Sequence, residues 1–327
     1  MYYIERNPIT DAMFLEGSVP EPAPAEPAWV SGSAYGAGVE VSRVNIHRVF
    51  RSSAAIPAGT TVVPEQDPTR WTDMRPTLRH RPFGPHVRAD GMLFYKHQPI
   101  QSTTEDISYR TLQRFANAVA IFGARGARWR VRVYQFDGGP LVVEHTGRIK
   151  SAARGFWDYR FGQRTTTDRV LVHGLPMFPA GVVHITIEGS GAQLRAVSQI
   201  EVGKLRYIPG VDLDGPRSGV EFGLIRAPRV LTSRKADENG STSVLIYGAT
   251  CDMSGTVALS SKNEDSALYQ LLRLVGKGVA FTPALVPGYQ QSLVFGILKT
   301  APMSRDNSRR SSFRFDIEGL PTATINA

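Results

Sequence analysis

Arg128-Trp129-Arg130-Val131-Arg132-Val133-Tyr134 alternates arginine with apolar residues without a break. Side chains on a strand point to opposite faces in turn, so Trp129, Val131 and Val133 fall on one face and the arginines on the other. The same alternation returns at Val183-His184-Ile185-Thr186-Ile187-Glu188 and near Ile200-Glu201-Val202. Between them, Leu141-Val142-Val143 and Val170-Leu171-Val172 are short apolar runs bounded by Gly, Pro and Asp, as strands usually are. No segment from Arg128 to Tyr207 shows a helical period. The region predicts a β-sandwich, and the flanking pieces predict smaller modules, giving a mainly β, multi-domain protein.

At 327 residues the chain exceeds one ordinary core, and its length predicts about two or three domains. A hydrophobic fraction of 42% is that of a globular protein and argues against general disorder. The net charge of +9 fits either an anionic partner or arginines that face water and neighbouring subunits. The second reading is favoured, because the arginines are spread along strands instead of clustered in a patch. The single cysteine, Cys251, has no partner for an intramolecular disulfide and reads as a buried, inert thiol. Met1 to Pro8 has no apolar core of a signal peptide, and no apolar run is long enough to span a bilayer. Synthesis in a cytoplasm without membrane insertion is the expectation.

Along the chain, residues 1–18 carry the anchors Tyr2, Tyr3, Ile4, Met13, Phe14 and Leu15 without a period, which suits a docking arm or a frayed terminus. Val19-Pro20-Glu21-Pro22-Ala23-Pro24-Ala25-Glu26-Pro27 predicts an extended polyproline spacer, so 1–27 is read as arm and linker. Residues 28–82 form a small β unit, with strand-like Val39–Val41 and Val44–Phe50, whose few aliphatics make its aromatics the core. The β-sandwich is assigned to 83–215, with Phe115–Phe122 read as strand because a glycine turn follows it. Residues 216–327 predict an α+β domain with one helix over 264–277, capped by Asn263 and ended by Gly276 and Gly278. Its apolar stripe is Leu268, Leu271, Leu272 and Val275.

The 28–82 unit, with Trp29, Tyr35-Gly36-Ala37-Gly38-Val39 and a closing Pro68-Thr69-Arg70-Trp71, resembles the small chitin-binding-type carbohydrate modules. It departs from their pattern at Val39, where an acidic residue is usual, and has no second aromatic beside Trp71. Thr10-Asp11-Ala12-Met13, the Pro-rich segment, Trp29 to Tyr35, Asn117 to Gly123 and Phe315 to Leu320 together resemble tail proteins of bacteriophages with long non-contractile tails. That resemblance implies a structural component of the tail tip or baseplate, present in several copies as a homo-oligomer in the virion. Its partners would be other tail proteins, with a host-surface glycan as an alternative partner.

Sugars stack their C–H faces on aromatic rings, so Tyr35, Trp71 and Trp29 are the candidate carbohydrate-binding residues, and the competing role for all of them is core. The histidines show no metal-ligand spacing, and with one Cys no metal site is expected; His80 and His86 read as solvated loop residues. Gly123 to Arg128 lacks the Lys-Ser/Thr of a phosphate loop and reads as a turn. A depolymerase would need paired carboxylates, for which Asp137, Glu144 and Asp158 are the candidates, but turn-capping and strand-face roles are commoner. No GxSxG elbow and no basic recognition helix is present. Neither catalytic residue, cofactor nor nucleic-acid partner is expected.

Overall fold

A computed structural model describes residues 1–84, 86–87, 93–94, 100–149, 156–161, 168–208, 220–221, 223–236, 242–285, 292–307 and 309–322. The protein is mainly β, as its alternation predicts. The Arg128–Tyr134 strand lies within a five-stranded antiparallel sheet, ordered Leu141–Arg148, Arg128–Tyr134, Val182–Glu188, Ile107–Leu112 and Phe14–Gly17. Val131 and Val133 are buried inward, whereas Arg130 pairs with Glu144 (3.2 Å) and Glu188 (2.7 Å) on the outer face. Arg130 and Arg132 are therefore laterally ion-paired.

This sheet covers one face of three strands at one end of a ten-stranded sheet. The order there is Arg169–His173, Ala118–Phe122, Gln199–Tyr207, Tyr2–Arg6, Gly278–Thr282, Val294–Thr300, Arg310–Gly319, Thr242–Ser260 and Ile225–Ala236, with Met303–Arg305 also on Arg310–Gly319. Val119, Ile121, Val170, Val172, Ile200 and Val202 meet Val131, Val133, Val183 and Ile185 in one core, which makes the expected sandwich. Further along that face lies the helix Glu264–Leu274 over Met253, Val257, Phe281, Phe313 and Phe315. The reverse face is concave. Across it Phe122 meets Phe295 with ring centroids 5.6 Å apart, and Arg169 Nη1 donates to the Leu293 carbonyl at 3.0 Å.

Several expectations need correction. Residues 1–6 are no arm: Tyr2–Arg6 pairs with Gln199–Tyr207 on one side and Gly278–Thr282 on the other, with Ile4 1% exposed. One sheet therefore runs across the boundary expected at 215/216. The Pro-rich segment is no spacer. Ala23 and Glu26 are buried, and the Glu26 carboxylate accepts from Arg75 (3.0 Å), Arg81 (2.9 Å) and the Leu78 amide (2.8 Å). The strand expected from Val44 begins at Arg48, because Val44–Ile46 makes a 3-10 turn. Phe115–Phe122 yields the strand Ala118–Phe122, and a short helix, Phe156–Phe161, interrupts the region read as helix-free.

The C-terminal helix ends at Leu274 instead of Lys277, since Val275 turns extended and bridges Leu298. Asn263 makes no side-chain cap. Ala267, Leu271 and Leu274 face the core, while Leu268, Leu272 and Val275 are exposed. The 28–82 unit is a three-stranded sheet, Glu40–Arg43, Arg48–Ser52 and Trp71–Pro76, over its own small core.

Candidate functional site

The candidate sugar-binding aromatics do come together, as the core of the 28–82 module. Trp71 is 3% exposed, and the Tyr35 ring meets it edge-on at 5.5 Å. The Tyr35 hydroxyl is engaged by one residue of the same loop: it accepts from the Val30 amide at 2.7 Å and donates to the Val30 carbonyl at 3.1 Å. Trp29 packs on the same cluster with the Arg43 guanidinium 4.9 Å from its ring. Stacking a sugar needs an open ring face, and Trp71 offers none.

An open groove of about 460 Å³ lies elsewhere, between the edge strands Leu141–Arg148 and Arg169–His173. Trp129, His145, Arg148 and His173 line it. Trp129 can lie flat here only because residue 147 is glycine: a Cβ at Gly147 would stand 2.7 Å from the indole. The candidate carboxylates are not paired with each other. Glu144 is held by Arg130 (3.2 Å) and Arg132 (3.5 Å), and Asp137 by Arg110 (2.8 Å). The side chain of Asp158 lies outside the described residues. No known protein family matches the sequence, and no curated protein is significantly similar to it.

A cluster with stronger chemistry lies where the module meets the N-terminal segment. The hairpin between Glu40–Arg43 and Arg48–Ser52 turns through His47, which sits in the left-handed region at φ 54°, ψ 40°. Its carbonyl accepts the Thr77 amide at 2.9 Å, and Thr77 in turn accepts the His80 amide at 3.0 Å. These bonds bring the two imidazoles into a stack with centroids 3.8 Å apart. Glu21, from the Pro-rich segment, accepts from His47 Nδ1 at 3.0 and 3.1 Å and from Thr77 Oγ1 at 2.5 Å. His80 Nε2 lies 3.6 Å from the other Glu21 oxygen. Asp11 approaches His47 Nε2 from the solvent side in an ion-pair contact that lacks hydrogen-bond alignment.

The electrostatics divide the pair. The Glu21 hydrogen bond holds the His47 pKa above its ordinary value, against its burial. Burial, reinforced by the neighbouring His47, pushes His80 down to about 4. Burial also works against the Glu21 carboxylate, but the bonds from His47 and Thr77 outweigh it and keep its pKa low. His80 is therefore not a solvated loop residue: its side chain is 12% exposed and Phe14 packs 5.5 Å from its ring. Sequence reasoning missed this cluster because Asp11, His47 and His80 follow one another at intervals of 36 and 33 positions (11 to 47, 47 to 80). No local motif marks it.

Proposed function

We propose that this chain is a structural component of the tail tip or baseplate of a long-tailed bacteriophage, working in several copies through protein–protein contacts. The phage context comes from the sequence resemblance alone. The observation that supports an assembly role is the hairpin Ile225–Ala236/Thr242–Ser260. Among the described residues, Thr242 to Ala249 have no strand partner besides Ile225–Ala236, since pairing to Arg310–Gly319 begins at Met253. A two-stranded ribbon without a third strand is marginal in water, and edges left unpaired by the described residues are suited to pair with another chain. Such an arm is suited to reach a neighbouring subunit, and repeated copies around an axis would use it repeatedly.

The groove beside Trp129 supports a second reading, contact with a host-surface glycan. The groove is lined by an indole, two histidines and an arginine, residue types that a sugar can use through stacking and hydrogen bonds. The aromatics of the 28–82 module are engaged in packing, so this groove is the better reader.

Immunogold labelling of intact particles with antibody against residues 216–327 tests the first reading. Label confined to the distal end of the tail is expected. Protein free in the lysate, with unlabelled particles, would overturn it. Trp129→Ala tests the second: loss of adsorption to host cells by particles that assemble normally would support it, and unaltered adsorption would remove it.

A further inference from the structure

Asp11, His47 and His80 come from three separate segments, yet one ligand-capable atom of each lies within 4.8 Å of the others. We propose that these three side chains bind a single divalent transition-metal ion of the Zn²⁺ class, supported by Glu21 and Thr77. Two imidazoles and one carboxylate are the donor set such borderline ions prefer, whereas Ca²⁺ and Mg²⁺ favour oxygen alone.

The surroundings fit a ligand site in three respects. First, Glu21 fixes the tautomer of His47: by accepting Nδ1–H it leaves Nε2 to face Asp11. A carboxylate behind a histidine is the usual support of a metal-bound imidazole. The Glu21 side chain is itself 2% exposed and anchored by Thr77 Oγ1, so its position is set by the fold. Second, His47 Nε2 and the Asp11 carboxylate converge from separate segments without the alignment of a hydrogen bond; with Asp11 drawn back to admit an ion, both lone pairs would be satisfied. Third, His47 holds a left-handed backbone that residues other than glycine rarely adopt, and such strain clusters at functional sites.

Coordination requires two adjustments, the first being that the exposed Asp11 carboxylate draw back from its direct contact with His47 Nε2 to admit the ion. Nitrogen lone pairs lie in the ring plane, so two stacked imidazoles aim theirs side by side, and His80 must turn out of its stack to converge with His47. The side chain of Asp11 is 66% exposed, which leaves the ion a path of entry and a coordination position for water. A bound ion would fasten the 28–82 module to the segment between Tyr2–Arg6 and Phe14–Gly17, the strands that the N-terminus contributes to the two sheets. The site is independent of the tail reading.

The test uses the full chain, stripped with a chelator and titrated with Zn²⁺ and, separately, Co²⁺ and Mg²⁺. One Zn²⁺ per chain is expected by calorimetry, with a Kd of ~1 μM or tighter, visible d–d bands with Co²⁺, and no response to Mg²⁺. At saturating Zn²⁺ the melting temperature should rise by ~5 °C. Asp11→Asn and His80→Asn should each weaken binding at least ~10-fold, the effect of losing one ligand. Absence of stoichiometric binding overturns the proposal, as does binding unchanged in H47N/H80N, which would place the ion on other histidines. Should His80→Asn fail to fold, Asp11→Asn at the exposed carboxylate decides: unchanged affinity there overturns the site.

Discussion

Glu201 illustrates how one residue sets a pH dependence. It sits in the concave face of the ten-stranded sheet at 0% exposure. Oε1 accepts from Gln199 Nε2 at 2.7 Å and lies 3.5 Å from Arg6 Nη1, while Oε2 has no hydrogen-bond partner among the described residues. Burial raises its pKa, with Arg6 opposing. The folded protein therefore holds this proton more tightly than the unfolded chain. Glu201 costs no stability below its unfolded pKa, and the cost grows as pH rises through the folded value. Glu201→Gln should stabilise the protein at pH 8 by ~1–2 kcal/mol, an advantage that disappears towards pH 4. Urea titrations at both pH values check this, and a less stable variant at pH 8 would contradict it. Trp71 shows what was legible at this scale. Its grouping with Tyr35 and Trp29 could be read from composition, because the module has little else to bury. Which ring faces stay open could not, since that depends on how the Val30 loop folds over Tyr35. Trp71→Ala should cost ~3–5 kcal/mol in thermal unfolding of the module, as for a buried indole, a loss that a surface sugar platform would not show.

At the scale of elements, strands were readable and edges were not. The alternation at Arg128–Tyr134 places every inward residue correctly because one face of that sheet is buried and the period is two. The helix was harder. Its leucines at 268, 271 and 272 suggest one stripe, but the sheet beneath takes the stripe centred on Ala267, Leu271 and Leu274. Small Ala267 contributes little to a sequence pattern, yet it lets the helix approach the sheet. The end was misplaced because Val275 joins a bridge to Leu298, a contact far away in sequence. Leu271→Ala, at 2% exposure, should therefore cost ~2–4 kcal/mol. Leu272→Ala, at 70% exposure, should stay within ~0.5 kcal/mol. Equal effects of the two in chemical denaturation would mean that the helix is rotated from the face described.

For the whole molecule, the decisive element is the shortest stretch of pattern in the sequence. Tyr2–Arg6 is too brief for a period to emerge, and its partners lie about two hundred residues away or more, so only the fold shows its place. It lies between Gln199–Tyr207, whose inner face belongs to the sandwich core, and Gly278–Thr282, whose inner face belongs to the helix core. Ile4 joins Ala118, Ala120 and Phe122 from one side with Ala280 and Phe295 from the other in a single cluster. A strand so placed couples two regions that would otherwise be separable domains. Ile4→Asp puts an unpaired carboxylate into that cluster and should destabilise by about 4 kcal/mol or more. Amide hydrogen exchange distinguishes a joint from an independent response. With one coupled sheet, protection should fall together in Ala118–Phe122, on the sandwich side, and in Arg310–Gly319, on the helix side. If the two halves were independent, loss would be confined to one of them, and the N-terminal strand would be an ornament on that half rather than the link between both.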